Sequence, residues 1–254
     1  MKNRTGLYCA LAGGMLACAA AAFAQTVPNM ILVTTIKVKP EMRQEWLDMQ
    51  KNEVTPAYRK AGVKSYEVWT TALFGDADEF TTTRPVSNFA TFDADSPVIK
   101  TLGAEAANRL IAKLNKCTVS TQRVIVKPRA DLSMGEDSSA PPKFMVLANV
   151  NVKTGMGGDY ERWFKNEVLP GLKKGGMKTV FVASNLYGGP ISEYHALWFV
   201  DSFADLDKPS ALVAGLGQEG ADKVTSHATM VQHAEYYLLR LIPELSIFPV
   251  PSTN

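Results

Sequence analysis

Chemistry in this chain would have to come from a few polar side chains set among apolar strands. In the segment from Glu193 to Val200, residues alternate, so Glu193, His195, Leu197 and Phe199 share one face and Tyr194, Ala196, Trp198 and Val200 the other. From Met145 to Val152, Met145, Leu147, Asn149 and Asn151 likewise oppose Val146, Ala148, Val150 and Val152, whose apolar face suits a cover of helices. Between Val231 and Leu238, the series Val231, His233, Glu235, Tyr237 opposes Gln232, Ala234, Tyr236, Leu238. If these strands are neighbours, Asn149, His195 and His233 stand side by side, with Glu193, Glu235 and Tyr237 around them.

Two imidazoles among carboxylates can exchange protons near neutral pH or hold a divalent ion. We take His195, His233, Asn149 and Tyr237 as candidate catalytic groups. Glu193, Glu235, Leu147, Leu197 and Phe199 are candidate ligand contacts. No HxH or HExxH spacing occurs, so no metal site is assigned. The competing reading is that these groups are solvated at a cavity mouth, or that the strand phase is shifted by one, which would exchange the faces.

Other reactive types are less informative. Cys117 reads as a small buried residue at a helix-to-strand junction, and Trp46, Trp69, Trp163 and Trp198 as core. The pieces Gly155-Met156-Gly157-Gly158 and Gly188-Gly189 lack a phosphate-loop pattern and punctuate turns.

The elements that must position the polar cluster come from an internal duplication. A shift of 114 sets residues 30–125 on residues 144–239 without a gap, with more than twenty identities. Lys51-Asn52-Glu53-Val54-Thr55-Pro56 lies over Lys165-Asn166-Glu167-Val168-Leu169-Pro170. Gly62, Gly75 and Glu79 match Gly176, Gly189 and Glu193, and Leu102-Gly103 matches Leu216-Gly217. On this alignment the polar cluster corresponds in the first copy to Thr35, Thr81 and Val119, with Glu79, Thr121 and Arg123. The ionisable character thus belongs mostly to the second copy.

Each copy reads as strand, helix, strand, strand, helix, strand. In the first copy these are a strand at 31–39, a helix ending by Gly62 with Pro56 kinking or stopping it, strands at 65–73 and 79–86, a helix within 98–114 and a strand at 118–126. The βαββαβ order is the α+β ferredoxin-like unit, whose antiparallel sheet carries both helices on one face and leaves the other needing cover. The expected organisation is an export signal at 1–24, repeats at 30–126 and 144–240, a linker at 127–143 rich in Asp, Ser, Gly and Pro, and a tail at 241–254.

Two such units in tandem, each with a first helix ending in Asn-Glu-Val-x-Pro, resemble the dimeric α/β-barrel superfamily. There, two ferredoxin-like units put their sheets together around a shared cavity, here expected within one chain. The resemblance implies a family that includes cofactor-free monooxygenases of antibiotic biosynthesis and haem enzymes such as chlorite dismutases. Shared fold alone assigns no reaction. The haem enzymes supply an axial histidine from a helix, and only His227 falls in that neighbourhood, so no cofactor is assigned.

Lys2 and Arg4, the uncharged run from Leu7 to Phe23, and Ala22-Phe23-Ala24 before Gln25 form a secretory signal cleaved after Ala24. Leu16-Ala17-Cys18 offers a second route, lipidation at Cys18, which alone would bring membrane contact. Without the signal, 25 basic residues balance 25 acidic ones, which leaves no electrostatic footprint for nucleic acid. Cys117 then stands alone, so stability comes from packing and not from disulfides.

The sequence thus describes an exported protein, periplasmic or extracellular, that binds a small apolar or aromatic molecule between its two sheets, with a further homodimer as a possible assembly. One alternative is a cofactor-independent or metal-assisted monooxygenase-like enzyme using His195 and His233. Another is a structural or interaction protein without a ligand site.

Overall fold

The alternating strand that opens each copy is the centre of its sheet. A computed structural model describes residues 28–135 and 141–249; the expected export signal and Cys18 lie outside the described residues. In it β1 (Met30–Val38) pairs antiparallel with β3 (Glu79–Val86) on one side and β4 (Thr118–Pro128) on the other, and β2 (Glu67–Thr71) pairs with β3. The second copy repeats this with β5 (Phe144–Val152) between β7 (Glu193–Val200) and β8 (Val231–Leu241), and β6 (Phe181–Tyr187) beside β7. The two sheets then join at both edges, β2 to β8 and β4 to β6, closing one antiparallel barrel in the order β1-β3-β2-β8-β5-β7-β6-β4. This is the expected intrachain dimeric α/β barrel, and closure leaves none of the eight strands with a free edge.

The helices lie outside the barrel. In the first copy they are α1 (Arg43–Met49), α2 (Thr55–Lys60), α3 (Pro97–Leu102) and α4 (Ala104–Cys117); in the second, α5 (Gly157–Trp163), α6 (Leu169–Lys174) and α7 (Ala211–Ser226). Val38, Trp46, Met49, Phe80 and Leu110 pack beneath the first set, and Ala148, Val152, Tyr160, Phe164, Val182, Tyr194 and Ala196 beneath the second. The strand phase read from the sequence is therefore the phase observed in the second copy and, in the first, in every strand except β4. Opposite side chains, among them Trp69, Met145, Leu239 and Leu241, fill the inside.

Three local features depart from the sequence reading. Pro56 does not stop its helix. A π-helical turn over Gln50–Val54 precedes α2, and Phe164–Val168 does the same before α6 and Pro170. The wider turn continues the helix past a residue that has no N–H to donate. The second helix is instead broken at Gly103 (φ 78°, ψ 159°), as is α7 at Gly217 (φ 72°, ψ 170°), a backbone region essentially closed to side-chain-bearing residues.

The repeat also contains a one-residue gap. β4 and β8 superpose at a shift of 113, since β4 spans Thr118–Pro128 and β8 spans Val231–Leu241. Pairing agrees: Thr35 faces Gln122 in the first copy, and Asn149 faces Glu235 in the second. The true counterparts of His233, Glu235 and Tyr237 are therefore Ser120, Gln122 and Val124, not Val119, Thr121 and Arg123. A shift of one moves a strand residue to the opposite face, so Arg123 sits beside Thr34 on the helix side.

The third difference concerns the segments after each copy's last strand. After β4, a 3-10 turn (Ala130–Leu132) buries Leu132 completely in the second copy's core, Ser133 Oγ accepts from Val182 N at 2.9 Å, and Met134 bridges Val180. After β8, Pro243–Leu245 buries Leu245 in the first copy, Ser246 Oγ accepts from Val68 N at 2.9 Å, and Ile247 bridges Tyr66. Linker and tail are thus two equivalent arms, each latched onto the other copy.

The arms should carry measurable stability. In urea unfolding, Leu132→Ala is expected to lose roughly 2–5 kcal/mol by leaving a cavity. Ser246→Ala should lose about 1–3 kcal/mol, because the Val68 N–H is left buried without an acceptor. Gln232→Ala, on exposed strand, should stay within about 0.5 kcal/mol of the parent. Arm variants indistinguishable from Gln232→Ala would contradict the latch.

Candidate functional site

Inside the second copy, alternation brings polar residues from adjacent strands into a row. Asn149 on β5 lies directly opposite His195 on β7 and Glu235 on β8. The row extends to β6 through Asn185, a residue only 6% exposed. His195 Nδ1 is 2.8 Å from Asn149 Oδ1, and its Nε2 is 2.9 Å from Asn185 Oδ1. Asn185 Nδ2 in turn donates to Glu193 Oε2 at 2.7 Å and to the Pro190 carbonyl at 3.1 Å. Glu193 also accepts from Asn151 Nδ2 at 3.5 Å.

The His195 side chain is 16% exposed. Burial is the main influence on its pKa and lowers it below the ordinary value of 6.5, with Glu193 pulling weakly the other way. The ring is therefore neutral at pH 7, with one nitrogen donating and one accepting.

His233 does not join this row. It faces Asn151, one pleat further along, and its Nε2 is 3.1 Å from Glu235 Oε1, in a pair whose side chains are 60% and 50% exposed. Tyr237 donates to Glu235 Oε2 at 2.6 Å. That bond is the first cause both of the fall in the Glu235 pKa and of the rise in Tyr237 to about 12. Two clusters result, a buried one around His195 and an open one at the barrel mouth around Glu235. β5 stands between the two histidines, and two strand spacings amount to about 10 Å. A shared metal or a two-imidazole proton relay has no geometric support. Among the described residues no group of three or more His, Cys, Asp or Glu is placed to hold a metal ion.

The floor below the row is apolar. Leu147, Leu197 and Phe199 pack with Trp69, Met145, Leu239 and Leu241, and the Trp69 and Phe199 rings stack with centroids 6.4 Å apart. The matching row of the first copy is Thr35, Thr81 and Gln122, with Thr71 in the place of Asn185. It carries no ionisable group.

Sequence reasoning missed Asn185. Alternation along β6 places Phe181, Ala183 and Asn185 inside, with Ala183 opposite His195, so the signal was a polar residue in the inward phase of a short hairpin strand.

His227 caps α7 on the outer surface. Its Nδ1 meets Glu167 Oε2 at 2.7 Å, beside an open pocket of about 340 Å³ lined by Trp163, Asn166 and Met230. The space between the second copy's helices and sheet is filled by Tyr160, Phe164, Val182, Tyr194 and Ala196, leaving no slot for a planar macrocycle next to this histidine. The residues present do not fit haem. Cys117 is buried, and burial pushes its thiol pKa up, which suits a packing role.

The sequence matches no protein-family model and no curated protein sequence. Solved structures do resemble it. A monooxygenase candidate from Lactobacillus acidophilus NCFM is similar over 87% of this chain and 97% of its own, at 11% identity and a TM-score of 0.55. An anthrone oxidase-like protein matches over 85% and 92%, at 13% identity and 0.54. A mutant chlorite dismutase from Candidatus Nitrospira defluvii matches over 87% and 93%, at 11% identity and 0.53. At such identity the likeness is one of architecture, and it places this chain in the dimeric α/β-barrel fold with both halves of the barrel supplied by one polypeptide.

Proposed function

We propose that this chain is an exported small-molecule-binding protein whose ligand enters the second-copy half of the barrel from its polar mouth. The apolar or aromatic body of the ligand lies over Leu147, Leu197 and Phe199, and its polar end meets the His195 row. The observation that carries this reading is the asymmetry of a symmetric frame. One interior row holds a neutral buried imidazole clamped by two amides, while its counterpart holds three threonines and a glutamine. Burying polar groups is costly unless they are bonded to one another. Packing alone would be served as well by the threonine row. The export signal expected at 1–24 supports a role outside the cytoplasm.

Isothermal titration against a panel of small aromatic molecules tests the site. Binders are expected to lose tenfold or more in affinity, about 1.4 kcal/mol, in His195→Ala, and to lose binding in Leu197→Trp, which fills the floor. Thr81→Ala, in the equivalent row, should bind as the parent does. Binders indifferent to both second-copy substitutions, or a panel with no binder, would overturn the reading.

The same imidazole should leave a mark on stability. A histidine whose native pKa is lowered takes up no proton where the unfolded chain already does, so the native state loses ground as pH falls from about 6.5 toward the lowered native value. Above pH 7 the effect vanishes. Urea unfolding between pH 5 and 8 should therefore show a fall of at most roughly 1.4 kcal/mol per pH unit that is absent in His195→Gln. Equal slopes in the two proteins would show that His195 is not held neutral.

A further inference from the structure

We propose that Asn185 is a positioning residue that fixes His195 as the Nε2–H tautomer, so that Nδ1 is the lone pair offered to whatever enters the barrel. The proposal deepens the ligand-site reading of the His195 row and rests on it.

The neighbours of Asn185 restrict how its amide can be turned. The Pro190 carbonyl can only accept a hydrogen bond, and the Glu193 carboxylate accepts as well. Both stand on the side of the Asn185 amide nitrogen, so its two N–H groups are committed. Turning the amide over would set Oδ1 against two acceptors and leave the nitrogen facing the ring. The Asn185 oxygen therefore points at His195 Nε2, and because an amide oxygen only accepts, Nε2 must carry the hydrogen.

In the neutral ring Nδ1 then has no hydrogen. Its contact is Asn149, whose side chain makes no other hydrogen bond in the described structure. Asn149 is thus the partner free to turn, giving its amide nitrogen to a neutral ring and its oxygen to a charged one. The two ring nitrogens differ sharply in availability. Reaching Nε2 means breaking all three bonds of a side chain that is 6% exposed, whereas reaching Nδ1 displaces one singly tethered amide. A ligand group that arrives at Nδ1 has to donate.

The first copy supports the pairing of the two roles. Where His195 is replaced by Thr81, Asn185 is replaced by Thr71, so the amide and the imidazole it would orient are absent together.

The chain contains three histidines, so carbon and nitrogen chemical shifts of isotope-labelled imidazoles can be assigned with His227→Gln and His233→Gln. Above pH 7 the full-length protein is expected to show His195 as Nε2–H. Asn149→Leu should keep that tautomer, while Asn185→Leu should release it and populate Nδ1–H, since Asn149 Oδ1 then remains as the one acceptor at hydrogen-bond distance, Glu193 Oε2 standing 3.9 Å from Nε2. Nδ1–H in the parent, a tautomer that changes with Asn149→Leu, or one unchanged in a folded Asn185→Leu would overturn the proposal. Should Asn185→Leu fail to fold, the first two spectra decide: Nε2–H in both supports it, and Nδ1–H in either overturns it. The tautomer is read without ligand, so its failure and a failure of ligand binding are separate results.

Discussion

Closure of the barrel is the constraint on which the rest of this molecule depends. A single ferredoxin-like sheet has two liabilities, an uncovered face and two unpaired edges, and a lone copy of this unit can cure neither. Pairing β2 with β8 and β4 with β6 removes both at once, because bringing the edges together necessarily turns the two bare faces inward. The reciprocal arms extend the same logic beyond the strands. Each copy's last strand runs on past the seam and places a leucine, a serine hydroxyl and one further bridge on its neighbour. Neither half contains all of its own core, so folding and association are one process carried out within one chain.

The closed frame creates a protected interior, and that interior has been used unequally. Its lower part is packed with Trp69, Met145, Phe199, Leu239 and Leu241, which supply the apolar contact that holds the halves together. Toward the mouth, where solvent reaches Glu235 and His233, the sequence no longer has to be apolar, and there the copies diverge. The first keeps threonines and a glutamine beside Glu79, the match of Glu193. In the second, a buried imidazole is held between amides, with a carboxylate behind one of them. The frame and the site thus draw on different parts of one surface, which is how a duplicated unit keeps its fold while one half changes its chemistry.

Much of this was legible in the residues. Strand alternation gave the correct inward and outward faces in every strand except β4, because those strands border a helix-covered core, where a phase error would bury charge. The duplication gave the topology. What the sequence did not reveal is where the frame is locally free. A one-residue gap between helix and final strand leaves no trace in an ungapped alignment, yet it puts Gln122 and Val124 on the inner face in place of Thr121 and Arg123. Pro56 read as a kink or a stop because the pattern of residues does not show that a π-helical turn can carry the backbone past it. The arms read as linker and tail because polar, proline-containing segments look alike whether or not they dock. Pairing register, finally, is set across strands and not along them. That is why His233 was placed beside Asn149 although it faces Asn151, and why Asn185 went unnoticed.

The most direct test of the central claim is residue-by-residue mapping of nuclear magnetic resonance shifts while a library of small aromatic fragments is titrated into the full-length chain. The account predicts that the largest changes cluster at Asn149, Asn185, His195 and Leu197, with Thr35, Thr71 and Thr81 of the matching row little affected. Equal responses from the two rows, or changes confined to the outer pocket beside Trp163 and His227, would contradict the assignment of the second-copy interior as the functional site.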